Sequence, residues 1–519
     1  MNRAGRTVLD HKGELATLPP QGPQLIVYAD RFGGTIKALG EVMRTSLQGV
    51  FGGVHVLPFY TAFDGADAGF DPIDHTQVGP RLGTWEDIAS LSSETTVVAD
   101  VIVNHMSVRS PQFEEYRLLG EASAWAPMFL TMSDVFPDGA TERDLSRIYR
   151  PKPGLPFTLM RVGGEPRLVW TTFTPAQVDL NIKQPATWSY LTDVIDQLTA
   201  SGASILRLDA VGYTGKAAGT NCFMTDEALS LIARLRQYAR KRGAIVLLEV
   251  HGHFSQQVDA ARYADLVYDF ALPPLVLHAI FTGDPKPLEH WLSVRPVNAV
   301  TVLDTHDGIG IIDVGANELR PSDAGLLDEA QVDHLVESVH ENSGGTSRLA
   351  TGAAASNLDL YQVNCTFFET VGRDERRYLL ARALQLFVPG IPQVYYVGLL
   401  AGTNDLALFQ QTGVGRDVNR HSYSRREISD RLEQPVVRAL LALLKLRARH
   451  RAFKGKFTHD ISDKRVALRW RHGDAGLSLE ADLPRCRFMI RATPEGNGAP
   501  LPDGELLSNG SDALRVLGA

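Results

Sequence analysis

Short apolar runs recur along the chain, each bounded by turn-forming residues. They are Gln24–Tyr28, Gly53–Leu57, Thr96–Val101, Ser204–Leu208, Ile245–Glu249, Leu266–Tyr268, Ala299–Leu303 and Ile391–Tyr395. Brief runs of this kind read as strands buried on both faces. Between most of them lie amphipathic stretches of helical period, such as Trp188–Ser201 and Thr225–Arg242. Alternating strand and helix predicts an α/β fold with a parallel sheet, and eight candidate strands predict a (β/α)8 TIM barrel over 21–102, 185–308 and 373–452.

Two intervals break the alternation. Residues 103–184 are rich in Pro, Gly and aromatics and lack a sustained helical period, which predicts an inserted subdomain after the third strand. Residues 309–372, with Gly344-Gly345 and the small residues of 352–356, form a second excursion after the seventh strand. Long excursions at strand ends commonly carry function. From about residue 453 the pattern turns to alternating segments, Val466–Trp470 and Arg487–Ile490 among them, which predicts a small C-terminal antiparallel β domain over 453–519. The first twenty residues are polar without an apolar segment, and read as a flexible extension rather than a signal peptide.

Composition narrows the function. A net charge of −8 over 519 residues leaves no basic footprint, which argues against nucleic acid and anionic membranes as partners. The most apolar later run, Leu384–Gly402, is interrupted by Pro389 and Pro392 and does not read as a membrane span. Cys222, Cys365 and Cys486 form no CxxC pair and are too few for a disulfide framework or a four-ligand zinc site, which fits a reducing cytoplasm. His251-Gly252-His253 has no third ligand at a recognisable spacing, and no glycine-rich nucleotide fingerprint is present. The expectation is an enzyme of small-molecule substrates, without metal or cofactor, as a monomer or homodimer.

Polar groups gather where the strands stop. The fourth stops at Asp209, the fifth at Glu249-Val250-His251, the seventh at Asp304-Thr305-His306-Asp307 and the third at Asn104-His105. In a (β/α)8 barrel these positions ring the C-terminal face, where active sites sit. Asp209 and Glu249 are one βα unit apart, so they belong on neighbouring strands. There two carboxyl groups can approach to about 5–5.5 Å, the separation at which one attacks an anomeric carbon and the other protonates the leaving oxygen. Any single acid here equally reads as a helix N-cap. Several acids and histidines gathered on one face do not, because clustered like charge is unfavourable without a task.

Arg207-Leu208-Asp209-Ala210-Val211, Leu248-Glu249-Val250-His251, Val103-Asn104-His105 and Thr305-His306-Asp307 resemble the ordered signatures of the α-amylase superfamily. Within it, five longer segments resemble the sucrose phosphorylase family: 63–70, 148–151, 269–274, 357–362 and 415–421. The resemblance runs from about Gln24 to Phe453. It implies a retaining two-step transfer of glucose from sucrose to phosphate, with Asp209 as nucleophile, Glu249 as acid/base and Asp307 as third carboxylate. Asp67, His105, His306 and Arg416 match glucose-binding positions, and Asp67 and Arg416 would block a longer sugar chain. Phe70, Phe173 and Tyr213 would pack on sugar faces. Arg207, two residues before the nucleophile on its side of the strand, would hold Asp209 ionised, whereas Glu249 must carry a proton at the first step.

On the acceptor side the resemblance implies Lys152, Tyr361 and His251 for phosphate. Lys152 stands where Arg is usual, which keeps the charge but loses the bidentate fork. Pro151 and Asp359 match members that take unphosphorylated fructose. The segment from Leu358 to Gln362 would move as fructose and phosphate alternate. Rival readings are phosphorolysis of another short α-glucoside (sucrose 6-phosphate, glucosylglycerol or glucosylglycerate), hydrolysis, and a non-catalytic amylase-like binding protein.

Overall fold

The structure, a computed structural model, describes residues 22–63, 68–150, 154–317, 320, 322–352 and 362–493, with short strands at 7–9, 15–17, 505–508 and 515–516. Eight parallel strands close into a barrel: β1 (Gln24–Val27), β2 (Gly53–Val56), β3 (Thr96–Ile102), β4 (Ile205–Asp209), β5 (Ile245–Leu248), β6 (Leu266–Asp269), β7 (Ala299–Thr301) and β8 (Ile391–Tyr395). They follow one another around the ring in chain order, and β8 pairs with β1. The eight apolar runs are the eight strands, with ends that shift by a residue or two. β4 gains Asp209 itself, and β7 stops at Thr301, so Asp307 stands on a loop beyond its strand.

Two helices follow the period read from the sequence. Pro185–Ala200 buries Leu191, Val194, Ile195 and Leu198, and Pro185 occupies the first turn, where its missing N–H costs nothing. Asp226–Arg240 is capped by Thr225, whose side chain accepts from the Ala228 N–H, and it buries Leu231, Ile232 and Leu235. Both turn these apolar stripes onto the barrel.

The first excursion contains a helix the sequence reading missed, Pro111–Leu119. Only Phe113 and Tyr116 of it are buried, too few to register as a period. A hairpin pairs Phe157–Val162 with Glu165–Trp170. The second excursion carries the helix Glu329–Asn342. The expectation of a flexible N-terminal extension falls on residues of which only two short paired strands, Thr7–Leu9 and Leu15–Thr17, are described.

After the barrel, β9 (Lys456–Ser462), β10 (Arg465–His472), β11 (Ala475–Asp482) and β12 (Arg487–Thr493) form an antiparallel sheet, continued by the strands at 505–508 and 515–516. The sheet joins the barrel through a seam of aromatics. Trp470 Nε1 donates to the Phe387 carbonyl at 2.7 Å, and the Arg447 guanidinium lies over the Phe453 ring at 4.4 Å while donating to the Gly390 carbonyl at 2.8 Å.

Candidate active site

The nucleophile candidate rests on a buried electrostatic column. Side chains alternate along a strand, so Arg207 and Asp209 point to the same face of β4. Arg207 Nη1 donates to Asp209 Oδ1 at 2.8 Å and to Asp100 Oδ1 at 2.5 Å. Asp100 sits directly opposite Arg207 in the pairing of β3 with β4. Its other oxygen contacts His55 Nε2 at 2.9 Å. Tyr268 lies 3.3 Å from the far nitrogen of His55 and donates to Gln393 at 2.9 Å, and Gln393 donates to Gln24 at 2.8 Å. Burial pushes the Asp100 carboxyl up, but His55 and Arg207 override it and bring it down to about 2. Burial likewise works against the Arg207 charge, and Asp100, Asp209 and Glu249 together raise its pKa well above the ordinary value. This column delivers a fixed positive charge to the base of Asp209.

Glu249 follows the last residue of β5. Its Oε2 accepts the Ala210 N–H at 2.9 Å, while Oε1 faces Arg207 Nη2 at 3.6 Å and His251 Nε2 at 3.8 Å. Ala210 presents that N–H because its backbone is left-handed, φ 53°, a conformation that costs a residue with a Cβ and recurs at functional sites. One guanidinium therefore reaches both Asp209 and Glu249, and the backbone between strand and turn fixes the second carboxylate relative to the first.

Asp307 closes the third side. Arg416 Nη1 pairs with its Oδ1 at 2.8 Å, and Gln362 Oε1 accepts from Arg416 at 3.4 Å and from the Gly308 N–H at 3.3 Å. Burial would raise the Asp307 carboxyl, but Arg416, with His251 and Arg420 behind it, holds it well below the usual carboxylate range. His306 stacks on Phe70 with ring centroids 4.7 Å apart. Burial, aided by the positive charges of Arg207 and Arg420, lowers its pKa to about 3, so it meets a ligand as a neutral donor–acceptor.

These groups line one cavity with His105, Phe173, Tyr213 and His251. His105 Nε2 lies 2.9 Å from the Phe70 carbonyl, which also accepts from Gln177 at 2.9 Å. Phe173 lies 5.3 Å from His105 and 5.0 Å from Tyr213, making an aromatic wall. Of the residues singled out from the sequence, Asp67, Pro151, Lys152, Leu358, Asp359 and Tyr361 lie outside the described residues. Asp304 does not join the cavity: it is buried against Arg382 at 2.7 Å and acts in the framework.

The structure also brings in residues the sequence reading passed over: Ala210, Gly212, Phe223 and Val250 on the wall, and Asp100 beneath. Asp100 had a signal, a lone carboxylate in the apolar run Thr96–Val101, which needs a buried partner. Glu249, His251 and Asp307 each bring a side-chain atom within 4.8 Å of the others, a cluster that sequence spacing does not display. His253 turns away, its Nε2 lying 3.1 Å from the Ala324 carbonyl.

An eight-stranded barrel with three carboxylates at its C-terminal rim defines a protein of the α-amylase class, and residues 49–242 match the alpha amylase catalytic domain family. The chain is 55% identical over 473 residues to a sucrose phosphorylase of Bifidobacterium adolescentis, covering 91% of this chain and 94% of that protein. It is 52% identical over 474 residues to one of Agrobacterium vitis, covering 91% and 96%. The crystal structure of a sucrose 6F-phosphate phosphorylase from Thermoanaerobacter thermosaccharolyticum superposes with a TM-score of 0.85 at 33% identity, over 96% of this chain and 98% of that one. The chain belongs to the sucrose phosphorylase family.

Proposed function

We propose that the protein catalyses the reversible phosphorolysis of sucrose to α-glucose 1-phosphate and fructose, and transfers glucose to other acceptors by the same route. The observation that carries this reading is the sharing of one buried guanidinium, Arg207, between Asp209 and Glu249, which line one cavity together with Asp307. In the first step an Asp209 oxygen attacks C1 of the glucosyl unit. The C1–O bond to fructose breaks, and the Glu249 proton goes to the departing oxygen. A β-glucosyl ester of Asp209 results. In the second step a phosphate oxygen attacks C1, the ester bond breaks to release the Asp209 carboxylate, and Glu249 takes the proton from phosphate. Two inversions give net retention.

Asp307, held anionic by Arg416, would bind sugar hydroxyls and favour the oxocarbenium-like transition state. Phe70, Phe173 and Tyr213 would enclose the glucose with His105, His306 and Asp67, while Arg416 and Gln362 close its far end. Phosphate would meet His251 with Lys152 and Tyr361, and Asp359 would disfavour a phosphorylated fructose. The division of the chain into a barrel over 21–102, 185–308 and 373–452, insertions at 103–184 and 309–372 and a β domain over 453–519 is part of the same proposal. So is a cytoplasmic setting, which the free cysteines among the described residues favour. Among those residues no helix is long and apolar enough to cross a membrane.

The test is incubation with sucrose, with and without inorganic phosphate, followed by quantification of glucose 1-phosphate, glucose and fructose. Equimolar glucose 1-phosphate and fructose are expected with phosphate present. Glucose release without any glucose 1-phosphate would overturn the reading in favour of hydrolysis. Turnover of sucrose 6-phosphate or glucosylglycerol in preference to sucrose would move it to a sister activity. Lys152→Arg is expected to lower the phosphate KM by about threefold to tenfold if Lys152 contacts the anion.

A further inference from the structure

Behind His251 lies an arrangement that the two-step chemistry does not use. Asp313 is fully buried, and its Oδ2 lies 3.0 Å from His251 Nδ1. Its other oxygen accepts from Gln257 Nε2 at 2.8 Å and from the Gly252 N–H at 3.2 Å. The His251 ring is clamped flat against Phe270, with centroids 3.8 Å apart. Gly310 makes the approach possible, since a Cβ there would stand 2.0 Å from Asp313 Oδ2 and 3.4 Å from His251 Nδ1. The rear of the imidazole is thus fixed by a carboxylate whose own orientation is fixed by two donors. The front nitrogen, Nε2, is turned toward Glu249 and the cavity.

We propose that Asp313 is the positioning residue of the acceptor site: it holds the proton on His251 Nδ1 and the charge on the ring, so that Nε2–H is presented to incoming phosphate. This rests on the phosphorolysis reading above. A histidine oriented this way donates a charge-assisted hydrogen bond, worth about twice a neutral one, and its tautomer is set by the group behind it. Among the described residues, the acidic groups that act on the ring are Asp313, Glu249 and Asp307. Burial opposes its charge, but these three, Asp313 foremost, raise its pKa above the ordinary value. Before phosphate arrives, the cation also balances the acids around it. Once Glu249 is ready to take a proton from phosphate, the same cation offsets the anion entering beside a carboxylate.

The test compares wild type with Asp313→Asn, which keeps a hydrogen-bonding atom behind Nδ1 but removes the charge, and with Asp313→Glu as the charge-conserving control. Sucrose hydrolysis without phosphate and glucose 1-phosphate formation across phosphate concentrations are measured from about pH 5.5 to 8.5, spanning the ordinary histidine range. For Asp313→Asn the phosphate KM is expected to rise about tenfold or more, with a fall of similar size in the ratio of phosphorolysis to hydrolysis. The rise in phosphate KM with pH should begin at lower pH than in wild type, and Asp313→Glu should recover part of the ratio. A phosphate KM within twofold of wild type would overturn the proposal, as would a parallel loss of both reactions, which marks a purely structural role. Should Asp313→Asn fail to fold, Gln257→Leu removes one of the donors that orient Asp313 and is read by the same ratio. Absence of glucose 1-phosphate from the wild-type reaction would instead remove the phosphorolysis reading itself.

Discussion

At the scale of single residues, charge placement explains the site. Arg207 is enclosed by Asp100, Asp209 and Glu249, so its charge is shared among three carboxylates, one structural and two proposed as catalytic. Asp209→Asn is expected to lower turnover by about four orders of magnitude or more, measured as glucose 1-phosphate release, because the attacking anion is gone. Near wild-type activity would remove Asp209 from the mechanism. Asp100→Asn tests the column beneath. It leaves Arg207 free to pair more tightly with Asp209, which makes Asp209 a poorer nucleophile, so kcat is expected to fall about tenfold while the sucrose KM changes little. Equal losses in binding and turnover would instead point to a collapsed site.

At the scale of elements, the decisive connection runs between the first excursion and the turn after β4. Lys216 is buried, with Nζ at 2.5 Å from Asp179 and donating to Asn104 Oδ1 at 2.6 Å. Asp179 also accepts from the Thr172 N–H at 3.0 Å, next to Phe173. A single ammonium therefore ties the segment bearing Phe173 to the strand end bearing His105 and to the loop that follows Asp209. Lys216→Met leaves Asp179 buried without its cation, a change that costs about 3–5 kcal/mol. A lower Tm and a higher sucrose KM are expected together. Unchanged values of both in thermal melts and sucrose titrations would show that the tie is dispensable.

For the whole molecule, buried histidines set the response to acid. His75 and His306 are held neutral in the fold, with pKa values lowered to about 3, chiefly by burial. The unfolded chain protonates these groups near pH 6.5, so below about that pH it binds protons that the folded state refuses. Stability is therefore expected to fall as pH drops below about 6.5 and to go on falling toward 3. Asp100, depressed to about 2, contributes stability that is present above its unfolded value near 3.8 and is lost as pH falls through 2. Thermal melts from about pH 8 to 4 check this, and a constant Tm between about pH 7 and 5 would contradict it.

Much of this was legible in one sequence because its causes are local. Each barrel strand announced itself as a short apolar run, and Asp209, Glu249 and His105 were conspicuous as polar residues where such runs end. The order of the strands around the ring follows from chain order, so the adjacency of Asp209 and Glu249 could be read from their spacing. What crosses between elements could not be read that way. The pairing of Asp100 with Arg207 depends on the register of β3 against β4. The placement of Asp313 behind His251 depends on an irregular loop approaching through the space that Gly310 leaves open. The helix Pro111–Leu119 was hidden because its burial comes from two residues rather than a stripe. Hydrophobic pattern is a property of neighbours along the chain and specifies the barrel. The charge states of Asp307, His306 and His251 are properties of neighbours in space, and only the folded barrel decides them.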